Sequence, residues 1–235
     1  EVPVEVKRFL AGKVFNLTSA YDAAVSRFML GAENPEENEL QHYYTMPLEL
    51  SQELRYGENA HQKAALYLTA DHKGAFGGME QFQGKELSYN NIRDLDVAWK
   101  AVSAYNKFVK NAESVKSDDG STVSFAGTEG SIFTIALKHN TPCGAALGKD
   151  ALDSYKKTYE CDPVSIFGGI IGCSGTIDKA AAEEMVKCFL EVIVAPDFTE
   201  EALEVLRGKK NLRVLKLKDL HVKEAKYDIK YLEGN

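Results

Sequence analysis

Apolar positions change their period along this chain. From Glu1 to Gly31 they recur at helical spacing, with Val6, Phe9, Leu10 and Val14 on one stripe. Thr18 or Ser19 can cap a second helix from Ala20 to about Leu30, burying Ala24, Val25, Phe28 and Met29. Gly31 to Pro47 is acidic, polar and Pro-containing, which is linker composition. From Leu48 short apolar runs alternate with amphipathic stretches. Strands are expected at Leu50–Tyr56, Ala64–Thr69 and Glu80–Gln83, with a Gly-rich turn at Asp71–Gly78. A helix follows over Ile92–Val109, then a polar stretch from Lys110 to Gly130 that we expect to be mobile. Ser131–Leu137 reads as a buried central strand stopped by Pro142 and Gly144. Helices at Ala151–Tyr159, Asp178–Leu190 and Glu200–Arg207 then alternate with strands at Val164–Cys173, Val192–Ala195 and Leu212–Leu217, with one more strand expected at Tyr227–Tyr231. That alternation predicts an α/β protein whose sheet carries helices on both faces.

Composition narrows the function classes. The 235 residues suit one large domain or two small ones, and a net charge of −7 without a basic block argues against nucleic acid as the main partner. A phosphate ligand stays compatible, because one Arg and a few backbone N–H groups can hold it. No apolar run approaches the roughly 20 residues of a membrane span, and no signal peptide opens the sequence, so no membrane partner is expected. Cys143, Cys161, Cys173 and Cys188 form no Cys-x-x-Cys pair and are expected to be reduced thiols of a cytoplasmic protein.

The central strand runs out into Lys138-His139-Asn140-Thr141-Pro142-Cys143-Gly144. A Lys beside a His at the end of a core strand is where α/β proteins put reactive groups; a solvated strand end would read the same way. Arg55-Tyr56-Gly57 ends another strand, where an Arg can fork onto two phosphate oxygens or sit in a surface ion pair. Asn90-Asn91 precedes the helix at Ile92 and suits a cap. Phe167-Gly168-Gly169 interrupts an apolar run, as at a bulge or a close approach of ligand to backbone. Phe167 can stack on a ring or fill core, and Glu191 can bind hydroxyls or be an ordinary solvent carboxylate.

Three stretches carry a resemblance: Leu54-Arg55-Tyr56-Gly57-Glu58-Asn59-Ala60-His61-Gln62, Lys138 to Gly144, and Asp162-Pro163-Val164-Ser165-Ile166-Phe167-Gly168-Gly169. In this order they resemble the AICAR transformylases, the formyl-transfer half of a bifunctional purine-biosynthesis enzyme that also carries IMP cyclohydrolase. The resemblance implies a three-layer α/β/α, cytidine-deaminase-like subdomain preceded by a short helical segment. Residues 1–47 would be the helical tail of the cyclohydrolase domain and its acidic linker, and 48–235 the first half of the transformylase domain. It implies His139 as base and Lys138 beside it, with Arg55, Tyr56, Asn91, Phe167, Gly168 and Glu191 at the nucleotide. Glu191 stands where the family more often has Asp, and Ala60 where it usually has Pro. The implied co-substrate is 10-formyltetrahydrofolate, and the implied partners are the missing C-terminal half and a second copy in the full enzyme. The alternative is a non-catalytic half-domain for nucleotide binding or dimerisation. His61 reads as structural, and His42, His72 and His221 carry no signal. Zinc deaminases need His-x-Glu and then Pro-Cys-x-x-Cys; no His here has Glu two residues on, and Pro142-Cys143 lacks the second Cys, so no metal is expected.

Overall fold

The computed structural model describes residues 2–30, 42–69, 74–109, 114–116, 122–124, 130–218 and 220. Most of the expected linker, much of Lys110–Gly130 and the strand expected at Tyr227–Tyr231 lie outside them. One compact unit takes residues 1–51 and 67–72, and the other takes 52–66 and 73–222.

In the first unit a single helix, α1 (Val4–Met29), replaces the two expected from the sequence. The hydroxyls of Thr18 and Ser19 donate back to the carbonyls of Phe15 and Asn16, at 3.3 and 2.9 Å. A hydroxyl bonded three residues back continues a helix instead of capping a new one. Phe28 and Met29 stand exposed rather than buried. Strands β1 (Leu48–Leu54) and β2 (Ala64–Thr69), whose residues are divided between the two units, form a two-stranded sheet of their own. Among the described residues no helix is long and apolar enough to cross a membrane.

The second unit holds the sheet that positions the site. In chain order it contains β3 (Glu80–Gln83), α2 (Tyr89–Ala104), β4 (Ser114–Lys116), β5 (Thr122–Ser124), β6 (Ile132–Lys138), β7 (Thr141–Gly148), α3 (Ala151–Cys161), β8 (Gly169–Cys173), α4 (Lys179–Met185), β9 (Leu190–Ala195), α5 (Glu200–Arg207) and β10 (Arg213–Lys216). Six strands lie in the order β3-β10-β9-β8-β6-β7, while β4 and β5 pair separately. β8, β9 and β10 run parallel; β6, flanked by β7 and β8, is antiparallel to both, and β3 is antiparallel to β10.

Strand alternation builds two cores. Ala136, Ile171, Ile193 and Val214 meet α3, α4 and α5 through Tyr155, Met185 and Leu206. Ile135, Leu137, Ile170, Val192, Val194 and Leu215 meet α2 through Leu95, Ala98, Trp99 and Val102. Successive side chains on a strand point to opposite faces, so these apolar runs must be covered twice. The result is three layers, helix on both faces of a mixed α/β sheet. Asp150, Asp178 and Thr199 cap α3, α4 and α5, each accepting from the backbone N–H three residues on.

A second departure follows the central strand. Pro142 and Gly144 were expected to stop it in a turn; Thr141–Gly148 is instead the edge strand β7, turned back on β6. Pro142 is tolerated there because an edge strand leaves one row of backbone groups unpaired, and the register slips between Ala136 and Leu137 opposite it. Side chains at Gly144 and Gly148 would collide with Thr158 O and Ser154 N of α3. The small residues are thus the condition for α3 to lie close against the strand.

Candidate active site along one edge of the sheet

Because β6 is antiparallel to β8, the carboxyl end of β6 and the amino ends of β8, β9 and β10 share one edge of the sheet. Every candidate residue on these strands sits there: Lys138 at the end of β6, Gly168 just before β8, and Glu191 near the start of β9. Arg213, which sequence reasoning did not single out, begins β10 on the same edge.

A cleft of 650 Å³ opens at this edge, lined by Arg55, Tyr56, Asn91 and Glu191 among the predicted residues. Lys85, Ser88, Phe189, Asn211 and Arg213 join them. Arg55 makes no ion pair with a described residue, and its guanidinium carbon lies 5.8 Å from the Tyr56 ring centre. The loop after it closes on itself: Gly57 N donates to Gln62 O at 2.9 Å and Gln62 N to Asn59 O at 3.0 Å. Arg55 is thereby offered on a built turn.

The cap of α2 is Ser88, with Asn91 at the third helical position, rather than Asn90 or Asn91 as the sequence suggested. Ser88 N and Oγ donate to Asn91 Oδ1 at 3.1 and 2.9 Å, and Asn91 Nδ2 donates to Glu191 Oε2 at 2.9 Å. Asn91 is buried, so its amide both closes the helix end and fixes the carboxylate. Arg213 donates from Nε to Glu86 O at 3.0 Å, and its Nη1 lies 4.0 Å from Glu191 Oε2. Its side chain is only 13% exposed. A guanidinium has five N–H donors, and these contacts leave several for a ligand. Arg55, Lys85 and Arg213 face two carboxylates, Glu86 and Glu191, so the cleft carries a surplus of positive charge.

The remaining predicted residues lie outside this lining. Lys138 Nζ donates to Phe167 O at 2.9 Å. Gly168 N donates to Phe189 O at 2.7 Å, and the Phe167 and Phe189 rings stand 5.2 Å apart. Phe189 lines the cleft, so these contacts link the Lys138 end of β6 to it. Gly168 has φ +76°, and a Cβ there would meet only the Phe189 ring at van der Waals distance. It is glycine for its backbone conformation, not for lack of room. The expected strand Val164–Cys173 is correspondingly shorter, because Asp162 Oδ1 accepts from Val164 N and Ser165 N and folds that segment into a turn. The Ser165 hydroxyl first, and then these N–H groups, hold the Asp162 carboxyl below the ordinary range. His139 is exposed, and with Asn140 forms the two-residue turn between β6 and β7. Burial pushes the nearby Cys143 thiol up, leaving it a weak nucleophile.

Among the described residues no group of three or more His, Cys, Asp or Glu side chains converges as a metal site requires.

Comparison with known proteins gives this edge its context. The chain is 52% identical over 216 residues to the bifunctional purine biosynthesis protein PurH of Clostridium acetobutylicum, covering 92% of this chain and 37% of that protein. It is 50% identical over 218 residues to the PurH of Brachyspira hyodysenteriae, covering 93% of this chain and 39% of that one. The chain thus spans under two fifths of the length of these relatives. A solved Acinetobacter baumannii RibD, form 1, superposes at TM-score 0.38 with 11% identity over 55% of this chain and 36% of that one, too slight a likeness to bear on the fold. The profile of the AICARFT/IMPCHase bienzyme matches residues 1–235, and with that match over its whole length the chain belongs to the AICARFT/IMPCHase bienzyme family.

Proposed function

We propose that this chain supplies the nucleotide-holding part of a formyl-transfer site, in which the formyl group of 10-formyltetrahydrofolate passes to the exocyclic amine of AICAR to give FAICAR. The observation that carries the reading is the cleft: Arg55, Tyr56, Asn91 and Glu191, from three separate stretches of sequence, line one concavity with surplus positive charge. Its 650 Å³ lies within the range of small-molecule sites. Arg55 would fork onto the phosphate, and Glu191, steadied by Asn91, would accept from the ribose hydroxyls. Residues 1–47 would belong with the cyclohydrolase side of a longer cytoplasmic bienzyme, and 48–235 with the first half of its transformylase.

In the reaction the amine nitrogen attacks the formyl carbon and its proton passes to His139. The tetrahedral oxyanion is met by Lys138, and the bond to the folate nitrogen breaks as that nitrogen takes up a proton. The amine is conjugated with the ring and its carboxamide, so a base matters at the moment of attack. Lys138 and His139 do not line the cleft of this chain, which favours turnover only when the remainder of the bienzyme, and a second copy, complete the site. Within a full-length bienzyme carrying this segment, His139→Ala is expected to lower kcat by about 10²-fold or more with little change in nucleotide affinity. An unchanged kcat would remove His139 from the chemistry.

A further inference from the structure

His139 and Asn140 have φ of +55° and +59°, and they are the only non-glycine residues with positive φ among those described. Lys138 pairs with Thr141, so these two residues are the whole turn, with the backbone signs of a type I′ hairpin. The sequence best suited to such a turn is Asn-Gly; His and Asn tolerate the left-handed region better than most residues but lack glycine's freedom there. A hold from outside the turn would steady it.

The structure supplies the holder from the first turns of α2. Asn140 N donates to Asp94 Oδ1 at 2.6 Å, a charge-assisted bond to the backbone of the turn itself. With the Asn140 amide oriented to satisfy its neighbours, Nδ2 donates to Asp94 Oδ1 at 3.1 Å and to Arg93 O at 3.3 Å. In that orientation Oδ1 accepts from Arg93 Nη2 at 3.0 Å. The other end of the same guanidinium reaches back to the loop that carries the phosphate candidate: Arg93 Nη1 lies 2.9 Å from Glu58 Oε1, three residues after Arg55. Arg93 also lies over the Tyr89 ring, 5.7 Å from its centre, which limits the directions it can take. Neither Asp94 nor Arg93 lines the cleft.

We propose that Asp94 and Arg93 are positioning residues: Asp94 clamps the His139–Asn140 turn in its left-handed form, and Arg93 ties that turn to the Arg55–Glu58 loop. The spacing between the general base and the phosphate anchor is then set by two adjacent residues of one helix. The consequence for catalysis rests on the reading of His139 as the base; the clamp on the turn does not.

The test uses a full-length bienzyme carrying this segment, with kinetics and NMR of the His139 and Asn140 amides read in parallel. Asp94→Ala is expected to lower kcat by about 10- to 100-fold, the scale of a misplaced catalytic group, with nucleotide KM changing by less than about threefold. The three-bond HN–Hα couplings of His139 and Asn140 should leave their left-handed values. Adding Asn140→Gly to Asp94→Ala should restore most of kcat and the couplings, because glycine adopts that conformation unaided; a merely structural loss would not recover this way. Asp94→Asn, which keeps an acceptor oxygen, should fall between wild type and Asp94→Ala and covers the case in which Asp94→Ala does not fold. Unchanged couplings in Asp94→Ala or Asp94→Asn would overturn the clamp. A kcat loss that Asn140→Gly leaves unrepaired would overturn its catalytic role. If His139→Ala keeps full activity while the couplings move as expected, the formyl-transfer reading of His139 fails and the clamp stands.

Discussion

Arg213 shows what a single residue can hide. It lies within the strand expected at Leu212–Leu217 and opens the observed β10, Arg213–Lys216, with nothing in its local sequence to mark it. In the fold its side chain is mostly covered, held by Glu86 O and close to Glu191, with donors left for a ligand in the cleft it lines. A charge-assisted hydrogen bond is worth about 1.5–3 kcal/mol, so Arg213→Ala should raise the nucleotide KM of a full-length bienzyme by about 10- to 100-fold. Arg213→Lys, which keeps the charge and loses the fork, should recover part of that. An unchanged KM in Arg213→Ala would remove this residue from the ligand. Arg55 and Tyr56 could be named because they sit in a recognisable stretch, whereas Asn91 and Glu191 were named only through the family resemblance. Arg213 could not, since its partner Glu191 is 22 positions away and only the neighbouring of β9 and β10 brings them together. Sequence periodicity reports which face a side chain takes, not which strand lies next to it.

Among the elements, the most informative error is β7. Thr-Pro-Cys-Gly-Ala-Ala-Leu-Gly looks like a turn because Pro and Gly punctuate it, and the punctuation has another cause. Pro142 uses the edge of the sheet, and Gly144 and Gly148 make room for the α3 backbone. Gly144→Ala should therefore destabilise the fold by about 1–3 kcal/mol or more, the usual cost of overpacking, read as a drop in denaturant midpoint. Gly12→Ala is the control: nothing lies within 4 Å of its added methyl, and in a helix the change should be neutral or stabilising by up to about 1 kcal/mol. Equal effects of the two would mean that α3 does not press on β7. By contrast β9, α5 and the core of α2 were legible, because β9 is an almost unbroken apolar run and the helices keep their buried residues on one face. The helix pair expected in residues 1–31 failed for a physical reason too: Thr and Ser read as caps, yet both can bond back within a helix and let it run on.

At the scale of the whole molecule, the antiparallel β6 is the decisive feature. It brings the end of a strand carrying Lys138 to the same edge as the beginnings of β8, β9 and β10, so Lys138, Gly168, Glu191 and Arg213 lie along one rim of the sheet. Lys138 and His139 do not line the cleft, and the chain spans under two fifths of its relatives' length. The chain alone is therefore expected to bind without turnover. The direct measurement is titration of AICAR into the chain, followed by ¹H–¹⁵N NMR. Amides at Arg55, Asn91, Glu191 and Arg213 should shift together and saturate with a Kd of about 0.1–10 mM. The phosphate-free riboside should shift them far less, and Arg55→Ala should weaken the nucleotide response. Shifts confined to other surfaces, or none at these amides at 10-fold excess over about 10 mM, would contradict the claim that this edge holds the nucleotide.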